Sequence, residues 1–76
     1  MNNYSQYIET NYNLMLGKPV LKGTRLTVEH LLRKLSQGAT FDNLVEMYPN
    51  FTIDQYKAIL EYAADVLAND EVLEKA

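Results

Sequence analysis

The twelve residues Gly17 to Val28, GKPVLKGTRLTV, divide this chain into two unlike parts. They hold two glycines, a proline, two lysines and an arginine, and they close on a threonine placed to open a helix. Before them lies a polar segment rich in asparagine and tyrosine; after them the sequence reads as helix throughout. Within the stretch, Gly17, Lys18 and Pro19 read as a turn, since proline presets its own φ and pushes the preceding residue towards extended geometry. The brief apolar run Leu14 to Leu16 and the run Val20 to Lys22 then read as the two strands of a small hairpin. Tyr7 to Glu9 is a further candidate strand start. A lone two-stranded hairpin is marginal in water and must pack on something.

Downstream, Thr27 predicts an N-cap for a first helix over Val28 to Gln37, stopped by Gly38. Val28, Leu31, Leu32 and Leu35 fall at i, i+3, i+4 and i+7, a single apolar stripe, and Leu32→Ala is the substitution expected to unfold the domain. Thr40 caps a second helix over Phe41 to Tyr48, ended by Pro49 and Asn50. Thr52 and Gln55 form a capping box for a third helix reaching at least Ala68. Three short helices with tight connections predict a mainly α fold: a trihelical helix-turn-helix, homeodomain-like core with a short N-terminal β-hairpin or strand segment. The parts are residues 1 to 26 as arm and hairpin, 27 to 68 as the helical core, and 69 to 76 as an acidic tail or helix extension of one domain.

The third helix carries two apolar series. Ile53, Tyr56, Leu60, Ala63 and Leu67 are expected to face the first two helices. Ile59, Tyr62, Val66, Asn69 and Leu73 follow at heptad spacing and would form a seam, buried either by a second copy of the chain or by the N-terminal segment. A homodimer through Ile59, Tyr62, Val66 and Leu73 is the expectation, because a chain of 76 residues has a thin core.

Charge is split along the chain. Residues 1 to 38 hold five cations, Lys18, Lys22, Arg25, Arg33 and Lys34, against two carboxylates, a net of +3. Residues 39 to 76 hold two lysines against eight carboxylates, a net of −6. A polyanion or an acidic cleft would therefore be attracted to the first half and repelled by the second. As a DNA-recognition helix the third is electrostatically wrong, with Lys57 set among Asp54, Glu61 and Asp65. The five cations of the first half are the candidate contacts for a partner or for nucleic acid.

Catalytic chemistry is not in evidence. GKPVLKGT lacks the order a phosphate loop requires, because Lys22 precedes Gly23 rather than following it. His30 is the single histidine and there is no cysteine, so no metal or nucleophile constellation can be assembled around it. No metal, cofactor or catalytic residue is expected, and the protein is not expected to be an enzyme. The start MNNYSQYIETN has neither the basic opening nor the apolar run of a signal peptide, and no later run approaches a membrane span. A cytoplasmic protein with no membrane partner is the expectation.

GKPVLKGTRLTV, the leucine-rich helix after it, and QGATFDNLVEMYPNFTIDQYKAILEYAA closely resemble a family of small prokaryotic proteins, domain of unknown function 433. The resemblance runs from about Tyr7 to Asp65. It implies a trihelical helix-turn-helix core with an N-terminal β segment, often dimeric, and a role as an antitoxin in a type II toxin-antitoxin pair, beside nucleases of the PIN-like class. Such nucleases hold metal ions with an acidic cluster, which a basic loop bearing Lys18, Lys22 and Arg25 could cover. A helix-turn-helix transcription regulator and a plain dimeric interaction module are the alternatives. Two features depart from the family pattern: NYNLML precedes Gly17 where an Asn or Asp, a Pro and a second glycine are usual, and the third helix is unusually acidic.

Overall fold

The computed structural model describes residues 4–69. Three helices form the body: α1 (Val28–Ser36), α2 (Phe41–Met47) and α3 (Ile53–Asn69). A two-stranded antiparallel sheet of β1 (Ile8–Glu9) and β2 (Val20–Leu21) precedes them, in the register Ile8 opposite Leu21 and Glu9 opposite Val20. The protein is mainly α with a small β segment.

The helix boundaries follow from their caps. The Thr27 hydroxyl accepts the His30 N–H at 3.0 Å. Thr40 and Asn43 exchange side-chain and backbone hydrogen bonds, as do Thr52 and Gln55, so α2 and α3 both open on reciprocal caps. α1 ends in a Schellman motif: Ala39 N–H donates to the Lys34 carbonyl and Gly38 N–H to that of Leu35, both at 3.0 Å. Gly38 sits at φ +102°, a conformation that only glycine adopts readily.

The hairpin differs from the sequence expectation. Leu14–Leu16 is not a strand: Met15 and Leu16 are left-handed, at φ 54° and 56°, and lead into Gly17 at φ 85°. The strand that pairs with Val20 and Leu21 comes instead from Ile8 and Glu9. The tight reversal lies one turn later, at Lys22–Arg25, where Gly23 takes φ +79°. Thr24 fastens it, its hydroxyl donating to the Leu21 carbonyl at 2.8 Å and accepting Leu26 N–H at 3.0 Å. Tyr7 to Glu9, a candidate strand start on sequence grounds, supplies that strand, with Ile8 buried against the core.

That core is built from Ile8, Leu21, Val28, Leu31, Leu44, Phe51, Ala58 and Ile59. Around it Phe41, Phe51 and Tyr56 pack ring to ring, with Phe41 and Tyr56 centroids 5.3 Å apart. The two apolar series of α3 are mixed rather than divided as expected: Tyr56 of the first packs on the core, while Val66 of the second is 44% exposed. Ile59, assigned by spacing to an external seam, is fully buried, whereas Ile53, Leu60 and Leu67 are 47%, 42% and 66% exposed. Tyr62 is half-buried beneath the N-terminal turn Tyr4–Gln6, the Tyr4 ring standing edge-on to it at 5.3 Å. Burial at that contact, followed by a hydrogen bond to Asp65, pushes the Tyr4 phenol above its ordinary value of 10.0. The N-terminal segment covers this part of the face. Leu73, the last member of the expected seam, lies outside the described residues.

Leu31, not Leu32, is the inner residue of α1: Leu31 is fully buried and Leu32 only half-buried. Leu31→Ala should therefore lower the unfolding free energy by ~2–5 kcal/mol, as for large-to-small changes in packed cores. Leu32→Ala should cost clearly less, and urea titration of the two variants measures the difference. Gly38→Ala, which forces a Cβ into left-handed backbone, should destabilise by ~1–2 kcal/mol in the same assay.

Candidate partner-binding surface

The basic stretch is held in place by backbone bonds. Leu21 N–H donates to the Leu26 carbonyl at 2.9 Å, Val28 N–H to that of Pro19 at 2.9 Å, and Val20 pairs across to Thr27. The segment from Pro19 to Val28 is thus a closed loop whose ends are tied together. Its apolar members, Val20, Leu21 and Val28, point inward and are buried. Lys22 and Arg25, at the two sides of the reversal, are left outward and exposed. Strand β2 is buried at both of its residues, and the turn that follows it carries Lys22 and Arg25 outward.

The five candidate cations do not form one patch. Lys18 and Arg33 converge on a single carboxylate, Glu29, with Lys18 Nζ 3.3 Å from Oε1 and Arg33 Nη2 3.1 Å from Oε2. Arg33 reaches it through Nε as well, at 3.2 Å. Hydrogen bonds from Lys18 and then from Arg33, with their positive charge, hold the Glu29 pKa below its ordinary 4.5. Two of the five charges are therefore largely spent on an internal bridge that ties the loop to α1. Lys22, Arg25 and Lys34 form no salt bridge among the described residues. Of these, Lys34 is half-buried at the end of α1, where the helix dipole favours a cation.

Arg25 has the more informative surroundings. Together with Met15, Leu26, Thr27 and His30 it lines a shallow depression of about 280 Å³. His30 Nε2 lies 3.3 Å from the Tyr48 hydroxyl. On the other side of Leu26, a second depression of about 200 Å³ is bounded by Thr24, Tyr48, Pro49 and Asn50 among others. Leu26 lines both hollows and Arg25 the first, so a guanidinium stands beside apolar and hydrogen-bonding groups. Sequence reading marked Arg25 and mentioned His30, but it missed Met15, Leu26 and Tyr48. These come from a left-handed turn, the helix approach and the end of α2, and no spacing in the chain connects them.

Among the described residues, no group of three or more His, Asp or Glu side chains is placed to hold a metal ion. Among them also, no helix is long and apolar enough to cross a membrane. What the surface offers chemically is a bidentate cation, Arg25, with an exposed lysine on the same turn.

The Glu29 bridge makes a prediction about pH. Because the folded pKa is the lower one, the bridge's stabilising contribution is present above pH 4.5 and is lost as pH falls through the folded value. Carbon-detected NMR should place the Glu29 midpoint below 4.5, and the Lys18→Ala, Arg33→Ala double variant should return it towards that value. An unmoved midpoint in that variant would remove the bridge from the account.

Comparison with curated proteins and with solved structures gave no match. One family model does match, over residues 8–63. That span begins at β1, takes in the clamped basic loop and all five cations, and ends within α3. Covering most of the 76 residues, it shows that the chain belongs to the family described as protein of unknown function (DUF433).

Proposed function

We propose that this chain is a non-catalytic binding protein whose clamped basic loop engages an acidic protein partner, and that the partner is a PIN-like nuclease neutralised by it as by an antitoxin. The observation that carries the reading is Arg25. It stands exposed on a turn fixed by four hydrogen bonds and is free of any salt bridge among the described residues. A cation on rigid backbone loses little freedom on binding, and an arginine can pair bidentately with a carboxylate. The identity of the partner class comes from the family resemblance set out above. Lys22 on the same turn supplies a second charge, while Lys18 and Arg33, already paired with Glu29, contribute through the shape of the loop.

A DNA role through the same edge is the second reading. It draws on the exposed Lys22 and Arg25, whereas α3 offers one lysine among Asp54, Glu61 and Asp65. Contact through the loop alone would be weak, with a shallow salt dependence set by two cations.

Purification with a PIN-like nuclease encoded beside the gene tests the proposal. Lys22→Ala with Arg25→Ala should weaken the complex and its inhibition at least tenfold, about 1.4 kcal/mol, while Asp42→Ala on α2 leaves both unchanged. Full inhibition by the double variant would refute the assignment. Low-salt gel shifts with the same proteins address the DNA reading: retardation abolished by the double variant favours it, and no retardation removes it.

A further inference from the structure

The exposed side of α3 carries a line of apolar residues that no described part of the chain covers. Ile53, Leu60 and Leu67 lie seven residues apart, and 47%, 42% and 66% of their surface is exposed; Ala64 beside them is exposed too. Seven-residue spacing keeps such side chains along one seam of a helix. The carboxylates of α3 lie elsewhere. At 3.6 residues per turn, Asp54, Glu61 and Asp65 fall roughly 100° or more around the helix from that line. At Leu67 the line runs on into an open groove of about 510 Å³ between α1 and α3, extending the apolar surface to Leu32 and Val66. Contiguous exposed apolar surface of this kind marks an interaction site.

We propose that this line is covered by α3 of a second copy of the chain, packed antiparallel about a two-fold axis at Leu60. The seam is self-complementary under that operation, as a two-fold interface requires. Leu60 stands seven residues from each end, so it meets its own counterpart while Ile53 meets the partner's Leu67. Charge fits the same arrangement. The two-fold sets Lys57 level with residue 63 of the other copy, within a turn of the partner's Glu61, and the symmetry makes the pair twice. Lys57 is exposed and forms no salt bridge among the described residues. Pairing with Glu61 of its own helix has the lysine N-terminal to the glutamate, the weaker order for an i,i+4 pair. A parallel pairing would instead set Lys57 level with the partner's Lys57. This inference does not rest on what the basic loop binds, since the loop and the seam use different residues.

Light scattering after size exclusion, across a concentration series, tests it on the full chain. The wild type should be a dimer, and Leu60→Asp should be a monomer with unchanged far-UV circular dichroism, because Leu60 lies outside the buried core. Lys57→Glu should weaken dimerisation at least tenfold, and adding Glu61→Lys to it should restore the wild-type constant. Should Leu60→Asp fail to fold, the two charge variants carry the test, both residues being exposed. A wild type that stays monomeric, a dimer that survives Leu60→Asp, or a Lys57→Glu defect that Glu61→Lys leaves uncorrected would each overturn the proposal.

Discussion

Strand β2 is the tie on which the rest depends. Only Val20 and Leu21 belong to it, yet it is bonded on both sides. Towards the N-terminus it pairs with Ile8 and Glu9, and Lys22 N–H donates to the Tyr7 carbonyl at 2.7 Å. Towards the C-terminus, Leu21 N–H and the Pro19 carbonyl bond to Leu26 and Val28, at the approach to α1. Buried backbone groups need such partners, and Val20 and Leu21 are almost wholly removed from solvent. Leu21 also enters the core with Leu31 and Ile59. One dipeptide thereby fixes the N-terminal segment, the basic turn and the first helix to one another.

This explains how rigid a surface turn can be in so small a protein. Lys22 and Arg25 are exposed, but the backbone between them is closed by Thr24 and flanked by buried residues on both sides. Glu29 adds a tether from outside, drawing Lys18 and Arg33 to one carboxylate. Surface ion pairs are individually weak, so the tether orients the loop more than it stabilises the fold. It also decides which charges remain outward: the net charge of the first half says that cations are abundant, whereas the bridge sorts bound from available.

The local signals in the sequence were read correctly where they are chemically self-contained. The Thr27 cap, the Thr40 and Thr52 caps and the Gly38 stop each depend on residues within a few positions, and the three helices begin and end within a residue or so of their expected limits. The hairpin and the faces of α3 depend on distant partners. Both glycine turns form, at Gly17 and at Gly23, and what local spacing does not show is that Val20 and Leu21 pair back to Ile8 and Glu9. On α3 both apolar series obey the same heptad spacing, so periodicity has no means of choosing the inner one. One member of each series, Ile59 and Tyr56, ends up inward, through contacts such as Tyr4 against Tyr62 and Phe41 against Tyr56 that join residues far apart in the chain. The hollow at Arg25 was half legible for the same reason: its charge is in the loop, while Met15 and His30, the latter bonded to Tyr48, reach it only through folding.

A thin core gives this arrangement its consequence. With Ile59 and Tyr56 packed inward and the N-terminal turn laid over Tyr62, the chain has no further described element with which to bury Ile53, Leu60 and Leu67. A domain this small hides only about 60% of the surface its unfolded chain exposes, so leaving three large apolar side chains partly in water forgoes a sizeable share of the available stabilisation. Burying half of such a side chain is worth about 1 kcal/mol, and a two-fold interface would collect that from both copies. The line is also free of the carboxylates that make the rest of α3 soluble, which is where a helix that stayed in water would be expected to place some of them. The same two-fold would carry two clamped basic loops on one particle, so the apolar face of α3 and the charged turn before α1 are physically separate but would act together on any partner large enough to meet both loops.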